Sequence, residues 1–186
     1  MKPLDRFIQS YRIKKASKYI PSKSTVFDIG AYDGTLFLKM GKQLASGIGV
    51  DPVDVPWKTQ NDKFKKVVGF FPEDIKTTEK FDVITMLATA EHFSSKNLIE
   101  LPFDCSNVLK PNGLVIMTIP SPFTDHIIGL LQKIRLIDGM SFEDHQGVQP
   151  CAVSKIFCEE FFTLKAHKVF QFGLNNLFVF EKKSTN

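Results

Sequence analysis

Between Val26 and Thr35 the chain reads Val-Phe-Asp-Ile-Gly-Ala-Tyr-Asp-Gly-Thr, and from Gly47 it continues Gly-Ile-Gly-Val-Asp-Pro to Pro52. The first run has the pattern of an apolar strand, a glycine turn and a helix start. The second is a neighbouring strand that ends on an acid. A strand that turns through glycine into a helix, with another strand following, confines the chain to an open and largely parallel α/β sheet. At such a turn Gly30 lets backbone N–H groups approach a ligand where a Cβ would block it. Asp51 then falls at the tip of the next strand, placed to accept two hydrogen bonds from a ribose diol. A nucleoside site is the leading reading, with Asp28, Gly30, Ala31, Tyr32, Asp33, Gly34, Asp51 and Pro52 as its candidate residues.

The glycine spacing separates the possible ligands. Gly30 and Gly34 enclose Ala31, Tyr32 and Asp33, which gives G-x-x-x-G in place of the dinucleotide fingerprint G-x-G-x-x-G. A diphosphate would meet the carboxylate of Asp33, which repels it. The run resembles the first motif of the class I S-adenosylmethionine-dependent methyltransferases, a hydrophobic-Asp-hydrophobic-Gly-x-x-Asp-Gly pattern whose second strand ends in an acid. That resemblance implies S-adenosylmethionine as cofactor and S-adenosylhomocysteine as product, and the ammonium and sulfonium charges of the cofactor tolerate nearby acids. A dinucleotide site and an unliganded structural turn are the alternatives.

Strand and helix patterns alternate along the chain. Strands are expected at about 25–30, 47–51, 65–71, 81–87 and 113–119, and helices at about 34–45 and 95–110. Runs such as Val83-Ile84 and Met86-Leu87 are apolar on both faces, as when helices cover both sides of a parallel sheet. After Pro120 the alternation lapses. Residues 120–150 carry a helical apolar pattern and then a polar loop, long for a mere connection, which suggests a lid over the acceptor. A helix at about 153–164 precedes two apolar runs, 166–172 and 177–183, split by Gly173 to Asn176, and these read as a hairpin. The expected fold is therefore a Rossmann-like, doubly wound, mostly parallel seven-stranded sheet that ends in an antiparallel hairpin. That ending also resembles class I methyltransferases. Residues 1–23 form an amphipathic helix within the same domain, and 24–186 the methyltransferase domain.

Further pieces resemble the small-molecule, quinone-biosynthesis-like subfamily: Lys80-Phe81-Asp82-Val83-Ile84 followed by Ala90-Glu91-His92-Phe93, and the turn Leu109-Lys110-Pro111-Asn112-Gly113, where Asn112 tolerates a left-handed backbone. The resemblance places Leu87 at the cofactor. After the third strand the family's adenine-binding acid has two possible counterparts: either Asp74 reaches the adenine amino group, or backbone near Phe71 does while a phenylalanine stacks on the ring. Methyl transfer is an in-line displacement that needs positioning and, for a hydroxyl acceptor, a base. His92, beyond the fourth strand, and His145, beside Asp144 in the lid, are the candidates; structural roles are the alternative for both.

Eighteen phenylalanines are many for 186 residues, and core packing is their first explanation. The three cysteines show no C-x-x-C spacing, so a reduced, cytoplasmic protein is expected. No stretch is apolar enough to span a membrane. The net charge of +4 is concentrated before residue 25, where Lys2, Arg6, Arg12, Lys14, Lys15, Lys18 and Lys23 face only Asp5. Solvated lysines on a packed helix are the simple reading, with an anionic surface or substrate as the alternative. Zinc-ligand spacing, the triphosphate loop and the G-x-S-x-G elbow are all missing, so no metal is expected. The reading is a methyltransferase acting on a small metabolite, with nucleic acid an unlikely partner. Two alternatives stay open: a non-catalytic cofactor-binding partner subunit, or an RNA-modifying enzyme.

Overall fold

The computed structural model describes residues 3–57, 59, 62–121 and 150–184. Seven strands form one sheet: β1 (Thr25–Ile29), β2 (Ser46–Asp51), β3 (Phe64–Val68), β4 (Phe81–Leu87), β5 (Leu109–Pro120), β6 (Phe162–Phe170) and β7 (Asn175–Lys182). Their order across the sheet is β3-β2-β1-β4-β5-β7-β6. β1 to β5 pair in parallel, and β7 runs against both β5 and β6. The expected sheet and its terminal hairpin are both present.

Among the described residues four α-helices flank the sheet: α1 (Pro3–Ala16), α2 (Thr35–Met40), α3 (Ser95–Val108) and α4 (Pro150–Glu159). The strands are apolar on both sides because two cores need them. Phe27, Phe81, Ile84, Met86, Met117, Phe178 and Phe180 turn toward Leu101 of α3 and Phe157 of α4. Val26, Val83, Ile116 and Val179 turn the other way, against Ile13 and Ala16 of α1 and Leu36 and Met40 of α2. The phenylalanine excess is largely this packing. Phe157 stacks on Phe180 with ring centroids 4.9 Å apart, and Phe27 lies 5.1 Å from Phe81. Burying a side chain of this size contributes about 2–3 kcal/mol.

Element ends differ from the expectation where turn chemistry overrides periodicity. α2 stops at Met40, and at the following Gly41 a Cβ would collide with the Phe37 carbonyl and the Phe64 ring. β5 begins at Leu109, earlier than expected, since Leu109 already pairs with Phe81 before a register shift; Asn112 takes the left-handed backbone at φ 58°. The hairpin turn occupies Gln171 to Gly173, which all have positive φ. Asn175 and Asn176 therefore belong to β7 and are buried.

From the face of the sheet, α1 reaches the carboxyl ends of the strands through Gln9 and Arg12. Tyr11 packs its ring 5.9 Å from Phe170. Gln9 Nε2 donates to Asp33 Oδ1 (3.3 Å), and Arg12 Nε donates to Asn175 Oδ1 (3.1 Å). At the opposite end, Asp82 accepts from Thr25 N (2.7 Å), Thr25 Oγ1 (2.8 Å) and Lys110 Nζ (2.8 Å), which ties β1, β4 and β5 together. The proposed lid, between residues 120 and 150, falls almost wholly outside the described residues, as does His145.

Candidate functional site

The site forms where β1 and β2 end side by side. Gly30 leaves β1 with φ 80° and Gly34 enters α2 with φ 69°, both backbone states that favour glycine. A Cβ on Gly30 would come within 2.2 Å of Thr89 Oγ1, in the loop after β4. The glycine is thus required by a neighbouring strand end. Close approach of a ligand, the reason expected from sequence, is thus not the first demand on this position.

Four backbone N–H groups of the turn, those of Gly30, Ala31, Tyr32 and Gly34, are already engaged. Gly30 N (2.9 Å) and Ala31 N (3.1 Å) donate to Val50 O, and Gly34 N donates to Ala31 O (2.9 Å). Tyr32, at φ 43°, turns its N–H onto Asp51 Oδ2 (2.9 Å), and Val53 N donates to Asp51 Oδ1 (2.9 Å). Asp33 Oδ1 receives Thr35 N (3.2 Å) and Thr35 Oγ1 (2.6 Å), so it caps the start of α2. The expected row of N–H donors facing a ligand is absent. What the loop presents are acceptors and carboxylates, which suit hydroxyls and cations and disfavour a diphosphate.

Asp28 lies on the same sheet face, buried, and accepts a 2.6 Å hydrogen bond from Thr85 Oγ1 on β4. Burial pushes its carboxyl up to about 7; the Thr85 hydrogen bond opposes the shift and the nearby Asp51 charge adds to it. A cation placed beside this carboxyl would favour its ionised form.

Trp57, which the sequence reading passed over, closes the loop from outside. Its Nε1 donates to the Tyr32 carbonyl (3.0 Å), and its ring occupies the space where Gly34 and Gly49 would carry a Cβ. It is the chain's single tryptophan and lies in the loop leaving Asp51, the one sequence signal that could have marked it. Ala31 is buried against Gly49, Pro52 is exposed beside Asp51, and Leu87 is half-buried at the end of β4.

After β3 the structure separates the two phenylalanines. Phe71 is buried in the core with its ring 5.5 Å from Phe27, so its ring presents no face to a ligand and the stacking role falls to its neighbour. Phe70 is the exposed one, at 62%. Asp74 Oδ2 accepts from Phe70 N (2.8 Å) and holds the turn after Gly69. His92 is on the short 3-10 turn Ala90–His92 that follows β4, half-buried at the carboxyl edge of the sheet. His167, on β6, stacks on Phe178 and pairs with Asn176 (2.9 Å), away from the glycine loop.

Comparison with known proteins agrees with this geometry. The methyltransferase-domain family matches residues 4–154. The chain belongs to that family. A putative S-adenosylmethionine-dependent methyltransferase from Listeria monocytogenes superposes with a TM-score of 0.73 at 12% identity, covering 95% of this chain and 100% of that one. The N-methyltransferase NodS from Bradyrhizobium japonicum WM9, in complex with S-adenosyl-L-homocysteine, superposes at 0.69 with 14% identity, over 98% and 89% of the two chains. A curated relative, the ribosomal protein L11 methyltransferase of Alkaliphilus oremlandii, is 30% identical over 109 residues, 56% of this chain and 34% of the relative. The chain thus spans about a third of that relative's length. The fold is the class I fold of S-adenosylmethionine-dependent methyltransferases, and among the described residues no helix is long and apolar enough to cross a membrane.

Proposed function

We propose that this chain binds S-adenosylmethionine and transfers its methyl group to a small metabolite. What supports the reading is the loop after β1, where Gly30, Ala31, Tyr32 and Gly34 spend their N–H groups internally while the carboxylates of Asp28 and Asp51 share one sheet face. Asp51 would hold the ribose hydroxyls, with Pro52 and the backbone of Gly30 to Gly34 beside it. Asp28 and the end of β4 at Leu87 would lie along the cationic half of the cofactor. Asp74, at the mouth after β3, is the candidate for the adenine end. The bound cofactor supplies an electrophilic methyl group on a sulfonium.

The protein's own part is orientation and exclusion of water. α1 covers the carboxyl edge through Gln9 and Arg12, so the acceptor enters a covered cleft. For a hydroxyl or ammonium acceptor a proton must leave, and His92, after β4, is the candidate base. Lys14 of α1 and Lys39 of α2 line an outer groove beside Phe7. Calorimetric titration with S-adenosylhomocysteine, NAD and FAD tests the cofactor. Assays for S-adenosylhomocysteine release over a panel of small acceptors test turnover. Binding without release for any acceptor would favour the non-catalytic partner-subunit reading, and binding of NAD in place of S-adenosylhomocysteine would overturn both.

A further inference from the structure

Arg12 is an arginine that ties α1 to the sheet. It stands on α1, half-buried, and among the described residues its one hydrogen bond runs from Nε to Asn175 Oδ1 (3.1 Å). Burial holds its pKa below the usual value, and the charge of the buried Glu91 acts in the opposite sense. Among the described residues Arg12 makes no ion pair, so Glu91 supports the positive charge without occupying the guanidinium. Nε faces Asn175, which leaves the two terminal amino groups of the fork unspent.

Sheet register places this fork. Asn175 lies opposite Pro120, at the carboxyl end of β5. Thr118 pairs with Leu177, one step along the same face, and among the described residues its fully buried hydroxyl has no hydrogen-bond partner. A cation fork and a spare hydroxyl therefore lie on one face beneath α1. From β2, where Asp51 holds the nucleoside end, the order β2-β1-β4-β5-β7 puts Asn175 four strands away, about 19 Å at the usual interstrand spacing. That is the acceptor's side of the cleft.

We infer that Arg12, with Asn175 and Thr118, is a receptor for a carboxylate, and that the methyl acceptor is a small molecule bearing one. The planar guanidinium matches a carboxylate with two parallel N–H···O bonds. Arg12 is then a positioning residue that fixes the acceptor by the end remote from the reacting atom. The substrate assignment rests on the methyltransferase reading; the receptor itself does not.

The test uses benzoate and benzamide, which share a shape and differ in charge, titrated calorimetrically into the full chain with and without S-adenosylhomocysteine. Benzoate should bind at least tenfold more tightly than benzamide, and Arg12→Gln should remove that preference. Asn175→Asp, which hands Arg12 an internal carboxylate and keeps the tie to α1, should also weaken benzoate at least tenfold in a protein that stays folded by circular dichroism. A residue that merely anchors α1 would lower the melting temperature without changing the benzoate-to-benzamide ratio, and an unchanged ratio in both variants overturns the receptor. If Arg12→Gln weakens S-adenosylhomocysteine but spares 5′-methylthioadenosine, which lacks the carboxylate, the receptor serves the cofactor and the acceptor assignment is overturned. Failure of the wild type to bind S-adenosylhomocysteine sinks the methyltransferase reading alone, because benzoate titrated without cofactor still reads the receptor.

Discussion

The main-chain N–H of Tyr32 donates to Oδ2 of Asp51 across 2.9 Å, joining the loop after β1 to the tip of β2. Val53 N holds the other oxygen, so the carboxylate is fixed before any ligand arrives. Each oxygen keeps a lone pair for a hydroxyl. Asp51→Ala should weaken S-adenosylhomocysteine by about 1–3 kcal/mol, the cost of losing charge-assisted hydrogen bonds to a diol. Calorimetry on the folded variant checks this, and an unchanged dissociation constant would take Asp51 out of the site.

Asp28 makes cofactor binding depend on pH. Its folded pKa, raised to about 7, lies above that of the unfolded chain, so its contribution to stability is fully present below about pH 4. That contribution falls as pH rises toward 7, by about 1.4 kcal/mol per pH unit while the folded carboxyl stays protonated. A cationic ligand prefers the ionised form. Affinity for S-adenosylmethionine should therefore rise from pH 5.5 to about 7 and then level, with a proton released below 7. Titrations in buffers of different ionisation enthalpy count that proton, and Asp28→Asn should flatten the profile. A flat profile in the wild type would mean that Asp28 does not face the cation.

Gly30 is fixed by Thr89. Gly30→Ala should destabilise the fold by about 1–2 kcal/mol from the left-handed backbone alone, with more from the collision with Thr89 Oγ1. Adding Thr89→Gly should restore the steric part and leave the backbone part, as read by urea denaturation. If the double variant is no more stable than Gly30→Ala, the collision is not the cause.

Trp57 offers a direct reading of the loop. As the single tryptophan, hydrogen-bonded to the Tyr32 carbonyl, it should change fluorescence when S-adenosylhomocysteine binds. Trp57→Phe keeps a ring over Gly34 and Gly49 but loses the N–H donor, which should cost about 1 kcal/mol in stability. No fluorescence change at saturating ligand would place the ligand away from this loop.

Asp82 should report on acid unfolding. Burial alone would raise its pKa, but hydrogen bonds from Lys110 and Thr25 outweigh that and hold it below the usual carboxylate value. With the folded value depressed, the stabilisation is present above the unfolded pKa and is lost as pH falls through the folded one. Asp82→Asn should make the melting temperature less sensitive to acid below about pH 4. An identical acid slope in the variant would show that the clamp of β1, β4 and β5 does not depend on this charge.

The sequence by itself determined the layout. Strand-turn-helix signals and two-sided apolar runs specified a parallel sheet with helices on both faces, and the split apolar run at the end specified the hairpin. Asp28, Gly30 and Asp51 were legible for the same reason, since they sit within a few residues of a strand end. Tertiary structure decided which groups meet. Thr89 forbids a side chain on Gly30, Trp57 seals the loop, Phe71 turns into the core while Phe70 does not, and Arg12 reaches Asn175 across a separation of 163 residues. None of these pairings leaves a mark in local spacing. They depend on strand order and register, which pair residues far apart in the chain, and it is these that engaged N–H groups expected to face a ligand and set the carboxylates of Asp28 and Asp51 on one sheet face.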